Sequence, residues 1–371
     1  MNNPVTAKIT STIMTSDPNH DFYLSVIDDP ALWLTLSAVG FILATAIIVG
    51  NSFLLFTTYK NPRRSLRSPP SFLIANLGAS DLFLGIFTAF LAALRDAYRY
   101  EKLHMPYVSV FRAIMYTVLT TTLFVSCYTM IAMSTACYVA INKPMDYKNI
   151  ITKGRVKIFI LVLWIISMST CVLPATSIPE KTYTLIYLHT HASLPAIILT
   201  VIYVNVFRSL VKRKRELQLR GVVSADNSAY LLERERKMSV TIITILAIFY
   251  LSYMPQYVTL HLLHFCSSCQ QSVTFHKIDV VFSRFLFINS AINPFIYAWK
   301  LPRYRRAFGD CVKILLNKPR KPVTNRSVSL GSRRIGQSVK EHPLREVELA
   351  NLSKVFEESD QTKGLSDSSR I

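Results

Sequence analysis

The chain has 371 residues, of which 51% are hydrophobic and 17% are charged, and its net charge is +20. A soluble protein of this length would carry more charge, so the composition argues against a soluble fold. Apolar runs of about 18 residues or more with few charges are typical of membrane-spanning helices. Seven such runs are present, at residues 31–59, 71–94, 107–140, 158–178, 183–211, 238–265 and 278–299.

The positive charge is concentrated at the ends of these runs. Basic residues follow the first run at 60–67, the third at 143–157 and the fifth at 212–237, whereas residues 17–29 are acidic. The positive-inside rule then predicts that the N-terminus lies outside the cell and the C-terminus in the cytosol. Because the basic clusters coincide with helix ends, they favour a membrane as the partner and argue against nucleic acid.

The seven runs predict an all-α membrane protein, a seven-transmembrane helix bundle followed by a short amphipathic eighth helix. We divide the chain into an extracellular tail (1–30), the bundle (31–300), the amphipathic helix (301–313) and a cytosolic tail (314–371). The last segment is rich in Ser, Lys and Arg without an apolar period, which predicts disorder.

Polar residues interrupt the apolar runs at a few positions. Asp81 lies near the middle of the second run, where an ionisable group is costly and indicates a functional site. In the seventh run, Asn289, Asn293 and Tyr297 are spaced four apart and share one helix face. Pro294 lies between them and must leave one backbone carbonyl without its helical hydrogen bond.

Three cysteines lie near the predicted membrane surfaces. Cys266 and Cys269 share a short outer loop, where they either form a disulfide or remain as two free thiols. Cys311 follows the basic and aromatic segment after the seventh run, which makes it a candidate for lipidation by palmitoylation.

Taken together, these residues resemble the rhodopsin-like (class A) G-protein-coupled receptors. The resemblance covers residues 31–313, with at least one matching residue in each run and in the right order. Each match is weak alone, but the set is specific. It comprises Gly50, Asn51, Leu77, Asp81, Ser126, Trp164, Pro195, Tyr203, Phe249, Pro255, Asn293, Pro294, Tyr297 and residues 305–308.

The resemblance implies an allosteric sodium ion in the inactive state. The matching positions are Asp81, Asn51, Ser126, Asn289 and Asn293. A hard cation prefers oxygen ligands, which a carboxylate, a hydroxyl and amide oxygens can supply. The alternative is a water-filled polar cluster that only holds the helices together.

The resemblance also implies an activation switch in the inner half of the bundle. Helices of the family bend at its prolines on activation, although static kinks fit the sequence equally well. The matching positions are Ala136, Cys137, Tyr138, Tyr203, Glu235, Phe249, Pro255, Pro294 and Tyr297.

The chain departs from the family at Cys137, where an arginine is usual. A cysteine has no positive charge and is only a weak donor, so it can neither lock the inactive state through Glu235 nor contact a G protein as arginine does. Loss of the lock would raise basal activity, and loss of the contact would abolish coupling. The sequence leaves both outcomes open.

Other departures concern the outer side. Arg112 replaces the cysteine that usually anchors the loop before the fifth run, and that short loop also lacks its cysteine. In this respect the chain is loosely similar to the melanocortin, lysophospholipid and cannabinoid receptors. Leu119 replaces the aspartate of amine receptors, and Phe287 replaces the retinal-binding lysine of opsins, so both ligand classes are argued against.

We expect a ligand pocket between the outer halves of the helices, mostly apolar with a few polar groups. The candidates are Leu119, Thr120, Leu123, Tyr187, His191, Tyr253, Gln256, Tyr257, Ser283 and Phe287. Each aromatic residue could instead serve only to pack the helices. Basic residues at 95–112 suggest an anionic or lipid-like ligand, or contacts with lipid headgroups.

The first function hypothesis is a plasma-membrane receptor that binds an extracellular small molecule, lipid or peptide and signals to a heterotrimeric G protein. It needs no cofactor besides the allosteric sodium, and no catalytic motif indicates an enzyme. The alternatives are an atypical receptor that is arrestin-biased or scavenging, and a transporter or channel. Serines in the tail suggest arrestin as a partner, and residues 369–371 fit a PDZ ligand.

Overall fold

The computed structural model describes residues 27–60, 66–143, 145–170, 180–220, 244 and 247–316. Within these ranges the secondary structure is helical and contains no strand. The helices are α1 (Pro30–Lys60), α2 (Pro69–Leu84, Gly85–Ala89 and Phe90–Tyr100), α3 (Val108–Asn142), α4 (Lys153–Thr170), α5 (Glu180–Leu188, His189–Ser193 and Leu194–Arg220), α6 (247–265), α7 (Val273–Ser283 and Phe285–Lys300) and α8 (Pro302–Leu315). Single helical turns at Tyr147–Ile150 and Ser267–Gln270 connect some of them.

The predicted all-α seven-helix architecture is confirmed. In the described part of the chain, α1, α2, α3, α5 and α7 are long and apolar enough to cross a membrane. Helix α4 has 18 residues and is basic in its first turns. Helix α6 adjoins residues 245–246, which lie outside the described ranges. The seven helices match the seven predicted runs in order.

Two helices contain a π-helical turn that the sequence analysis did not predict. In α5 the turn spans His189–Ser193 and immediately precedes Leu194 and Pro195. Helix α3 supplies donors to the backbone carbonyls there: the Cys127 thiol lies 3.5 Å from the His191 oxygen, and the Tyr128 hydroxyl 3.3 Å from the Thr190 oxygen. These contacts hold α3 and α5 together where the helix is irregular.

Small residues allow α1 to lie close to its neighbours. A side-chain carbon added at Gly40 would lie 2.8 Å from the Ala93 side chain of α2. One added at Gly50 would lie 3.2 Å from the ring of Pro294 in α7. Close backbone approach at small residues is the usual way in which membrane helices pack. The polar groups of α1, α2 and α7 are thereby brought within hydrogen-bonding distance.

The largest apolar cluster of the described residues has members on α1, α2 and α3 and on α5 to α8. Phe249 is nearly inaccessible and stacks on Tyr253, with 4.5 Å between the ring centroids. Leu123 and Tyr297 belong to the same cluster. Its members reach from Leu123 of α3 to Tyr304 of α8, so the cluster packs these helices together.

Candidate functional site

The centre of the site is the Asp81 carboxylate of α2, which is fully buried. It accepts hydrogen bonds from the Ser290 hydroxyl at 2.7 Å and from the Asn293 side-chain amide at 2.8 Å, both on α7. A buried carboxylate needs such partners because removing its charge from water costs several kcal/mol. The two bonds tie α2 to α7 in the middle of the bundle.

The other predicted sodium ligands surround this carboxylate to different degrees. Ser126 of α3 interacts with Asp81 and lies 2.9 Å, oxygen to oxygen, from Ser80. Asn289 is buried, and its side-chain nitrogen has no hydrogen-bond partner among the described residues. Asn51 of α1 bonds backbone groups rather than Asp81 itself.

The donor set fits a sodium ion chemically, with one carboxylate and several neutral hydroxyl and amide oxygens. Within the described ranges, no group of three or more His, Cys, Asp or Glu side chains is placed to hold a metal ion. Oxygen ligands of this kind suit a hard cation better than zinc or iron.

Ser290 is the member of the site that the sequence analysis missed. It directly contacts Asp81, whereas the neighbouring Asn289 does not hydrogen-bond the carboxylate. Ser290 precedes Asn293 by three residues, so both lie on one helix face. This spacing could have predicted from the sequence that Ser290 also contacts Asp81.

The carbonyl freed by Pro294 has a partner. A proline at position 294 cannot donate to the carbonyl of Ser290, four residues earlier. The side-chain amide of Asn51 donates to that carbonyl at 3.2 Å and to the Ile47 carbonyl at 3.0 Å. Asn51 thus replaces the missing helical bond and ties α1 to α7.

A second polar group joins α2 to α3 and α4. Asn76 of α2 donates to the Thr129 hydroxyl of α3 at 2.8 Å and accepts from the Trp164 indole of α4, also at 2.8 Å. These bonds extend the buried polar network towards α4, which makes few other polar contacts with it. The sequence analysis identified Trp164 but not its partner.

The predicted ligand residues lie on the outer halves of α3, α5, α6 and α7. Leu119, Tyr187, Tyr257 and Ser283 are partly buried. The more buried members are Thr120, Leu123, His191, Tyr253, Gln256 and Phe287.

Aromatic and polar contacts connect this set. The His191 ring lies 4.2 Å from that of Tyr187, centroid to centroid. The hydroxyls of Ser193 and Tyr257 are 2.7 Å apart and join α5 to α6. Phe287 packs with apolar residues of α1 and α2, so it faces that side of the bundle.

The outer ends of α2 and α7 are joined by an ion pair that the sequence analysis did not predict. The Arg284 guanidinium lies 2.5 Å from the Asp96 carboxylate, and both side chains are almost fully buried. Nearby, Lys102 pairs with Asp28 at the surface, and the Arg99 guanidinium lies over the Trp33 ring.

The four basic residues on which the anionic-ligand hypothesis depended therefore have partners inside the protein. These residues are Arg95, Arg99, Lys102 and Arg112. The Lys102–Asp28 pair is largely exposed, so its charge remains accessible, and a preference for anionic ligands stays a prediction.

The inner ends of the helices carry the predicted switch residues. The Tyr203 and Ser134 hydroxyls are 3.0 Å apart and join α5 to α3. Cys137 is partly buried and packs with Ile141 and Val206. Tyr147 of the following helical turn lies near it. Glu235 lies outside the described residues.

Ala136, Phe249 and Tyr297 are buried, and Tyr138 and Pro255 are partly buried. Cys266 and Cys269 form a disulfide after α6. The Cys311 thiol is buried against the bundle, so lipidation would require α8 to turn this residue outwards.

Comparison with known families identifies the class of this protein. The model of the family "7 transmembrane receptor (rhodopsin family)" matches residues 50–297. The chain belongs to this family and is a class A G-protein-coupled receptor. Members of the family are receptors rather than enzymes.

The relatives are distant. The chain is 23% identical over 325 residues to Melanopsin-B of Xenopus laevis, covering 79% of this chain and 58% of that protein. It is 20% identical over 329 residues to Adenosine receptor A2a of Canis lupus familiaris, covering 78% and 74%. It is 22% identical over 306 residues to Adenosine receptor A2b of Rattus norvegicus, covering 73% and 87%. The narrower likeness to melanocortin, lysophospholipid or cannabinoid receptors stays a prediction.

Proposed function

We propose that this receptor sits in the plasma membrane with its N-terminus outside, binds a ligand between the outer halves of α3, α5, α6 and α7, and activates a heterotrimeric G protein. The observation that supports this most is the buried polar network around Asp81. It links α1, α2, α3 and α7 directly below the predicted ligand residues. A ligand that prefers one arrangement of these helices shifts the population towards it.

Two side-chain contacts suggest how a change in helix arrangement at the ligand pocket reaches the cytosolic side. Tyr253 belongs to the predicted pocket and stacks on Phe249, which lies one turn closer to the cytosol. A ligand that displaces Tyr253 therefore moves the centre of the apolar cluster. The Tyr203 and Ser134 hydroxyls are in contact at the inner end of the same cluster and would separate or re-pair as α5 and α6 move.

Light sensing is not part of the proposal, although melanopsins are among the relatives. In the opsins retinal is bound through a lysine, and this chain has Phe287 at that position. A phenyl ring cannot form a Schiff base. The relatives therefore support the receptor class and leave the ligand open.

We further propose that sodium binds beside Asp81 and favours the inactive arrangement. Free sodium at about tenfold above its Kd stabilises a folded protein by about 1.4 kcal/mol. We expect sodium chloride to raise the melting temperature of the purified receptor relative to choline chloride at equal ionic strength, and Asp81→Asn to abolish the difference. Asn76→Ala serves as the control, since it removes a buried amide on the same helix and should keep the sodium response. An equal response in Asp81→Asn would contradict the proposal.

Coupling through Cys137 is tested by comparing the wild type with Cys137→Arg. We expect the wild type to activate a G protein above mock-transfected membranes. The arginine should raise activation roughly tenfold, because a charge-assisted hydrogen bond contributes about 1.5–3 kcal/mol. Nucleotide exchange on a panel of G proteins and arrestin recruitment are measured in parallel. Cys137→Ser is the matched control and should behave as the wild type.

A second candidate function follows if the wild type recruits arrestin but exchanges no nucleotide on any G protein. In that case Cys137 has removed coupling, and the chain is an atypical receptor. The tail serines proposed to recruit arrestin and residues 369–371 proposed to bind a PDZ domain lie outside the described ranges, so their support remains the sequence alone.

A further inference from the structure

A second buried carboxylate lies in the outer half of the bundle. Asp279 of α7 is 5% exposed. Its Oδ1 atom accepts from the side-chain nitrogen of Gln256 at 2.9 Å and from the Thr259 hydroxyl at 2.8 Å, both on α6. Both donors are neutral, so they orient the carboxylate without cancelling its charge.

Asp279 differs in this respect from the other outer carboxylates. Asp96 pairs with Arg284, Asp28 with Lys102 and Asp29 with Lys277. Among the described residues Asp279 has no ion-pair partner. A buried charge without a counter-ion costs several kcal/mol unless something compensates it.

The neighbouring amide adds a second acceptor. Because a carboxylate oxygen can only accept, Gln256 must present its nitrogen to Asp279 and its oxygen away from that atom. This Gln256 oxygen is buried and has no hydrogen-bond partner in the described part of the chain. The group therefore offers the Asp279 carboxylate and the Gln256 oxygen as acceptors and carries one negative charge.

The position of this group connects it with the proposed pocket. Tyr253 lies one turn inwards from Gln256 on α6, and Ser283 lies one turn inwards from Asp279 on α7. Both belong to the predicted ligand residues. The two acceptors thus lie on α6 and α7 at the outer end of the predicted ligand pocket.

We propose that Asp279 and Gln256 form the recognition site for a positively charged nitrogen group of the ligand, an ammonium or a guanidinium. Such groups carry several N–H donors and the opposite charge, and they match a carboxylate beside a free amide oxygen. The proposal rests on the receptor function proposed above. Leu119 rules out only the amine site on α3, and here the counter-ion is on α7.

The test uses matched pairs of probes on the purified full-length receptor in lipid nanodiscs. One pair is 2-phenylethylamine and the neutral 2-phenylethanol. The other is an arginine-containing tripeptide with an acetylated N-terminus and an amidated C-terminus and the same blocked peptide with citrulline, which keeps the shape without the charge. We expect at least one cation to bind roughly tenfold or more tightly than its neutral partner. The pair that responds distinguishes a small amine from a peptide.

Variants link the preference to this group. Asp279→Asn should reduce cation affinity roughly tenfold and leave the neutral probes unchanged. Asp279→Glu keeps the charge and should retain a preference for the cation. Melting temperatures without probe show whether each variant is folded, and if Asp279→Asn is not, Gln256→Leu replaces it. Equal binding of both members of each pair, or a preference that survives loss of the charge, would overturn the proposal.

Failure of the site and failure of the receptor function are distinguishable. Nucleotide exchange without ligand is measured for the wild type and Asp279→Asn. If exchange occurs but no cation preference is found, the site is wrong and the receptor function stands. If cations bind through Asp279 but no G protein or arrestin responds, the site stands and the receptor function is wrong.

Discussion

Arg284→Met is expected to lower the free energy of unfolding by about 3–5 kcal/mol, because it leaves the Asp96 carboxylate buried without its counter-ion. Asp96 is fully buried and Arg284 nearly so. One further oxygen of Asp96 already lacks a hydrogen-bond partner among the described residues. The melting temperature of the purified receptor and its surface expression measure the loss.

A matched control uses an ion pair at the surface. Lys102→Met removes the bond to Asp28, but both side chains are about three-quarters exposed. Exposed pairs contribute only about 0–1 kcal/mol, so this variant should resemble the wild type.

The double variant Asp96→Leu with Arg284→Met removes both charges and should regain much of the stability. If Arg284→Met is no more destabilised than Lys102→Met, the buried pair does not stabilise the fold.

Asn51→Ala is expected to lower the free energy of unfolding by about 1–3 kcal/mol, because the Ser290 carbonyl is left buried without a donor. Pro294→Ala restores a backbone N–H four residues after Ser290, and this group can form the ordinary helical bond. The loss caused by Asn51→Ala should therefore be smaller in the Pro294→Ala background. Thermal unfolding of the four proteins completes the double-mutant cycle.

The size of the coupling energy between Asn51→Ala and Pro294→Ala decides between two roles of Asn51. If Asn51→Ala has the same effect in both backgrounds, the asparagine does not act through the carbonyl that the proline frees. Its bond to the Ile47 carbonyl, within its own helix, would then account for its effect.

The sequence predicted the architecture because apolar length is a local property. The seven runs could be counted without knowing which helices touch. The Asp81 site was partly predictable for a related reason: a membrane offers no water, so a buried acid needs polar partners from other helices. Asn293 was identified in this way, and Ser290 was not, although it lies on the same helix face.

Long-range charge pairing could not be predicted. Asp96 and Arg284 lie 188 residues apart in the chain, and each stands near a helix end, where charges are ordinary. The contacts of the basic residues at 95–112 could not be predicted for the same reason, since the sequence shows charges but not their partners. Asp279 and Gln256 are likewise far apart in the sequence. Their contact could not be predicted, and only the structure shows that neutral side chains hold the Asp279 carboxylate.

The irregular turn of α5 has a consequence for how this receptor can change over evolutionary time. Its link to α3 uses the main-chain oxygens of Thr190 and His191 as acceptors. Every amino acid provides a main-chain oxygen, so substitution at either position keeps the acceptor while altering the side chain beside the predicted pocket. Single substitutions can therefore change the side chains that line the predicted pocket while the hydrogen bonds between α3 and α5 are kept.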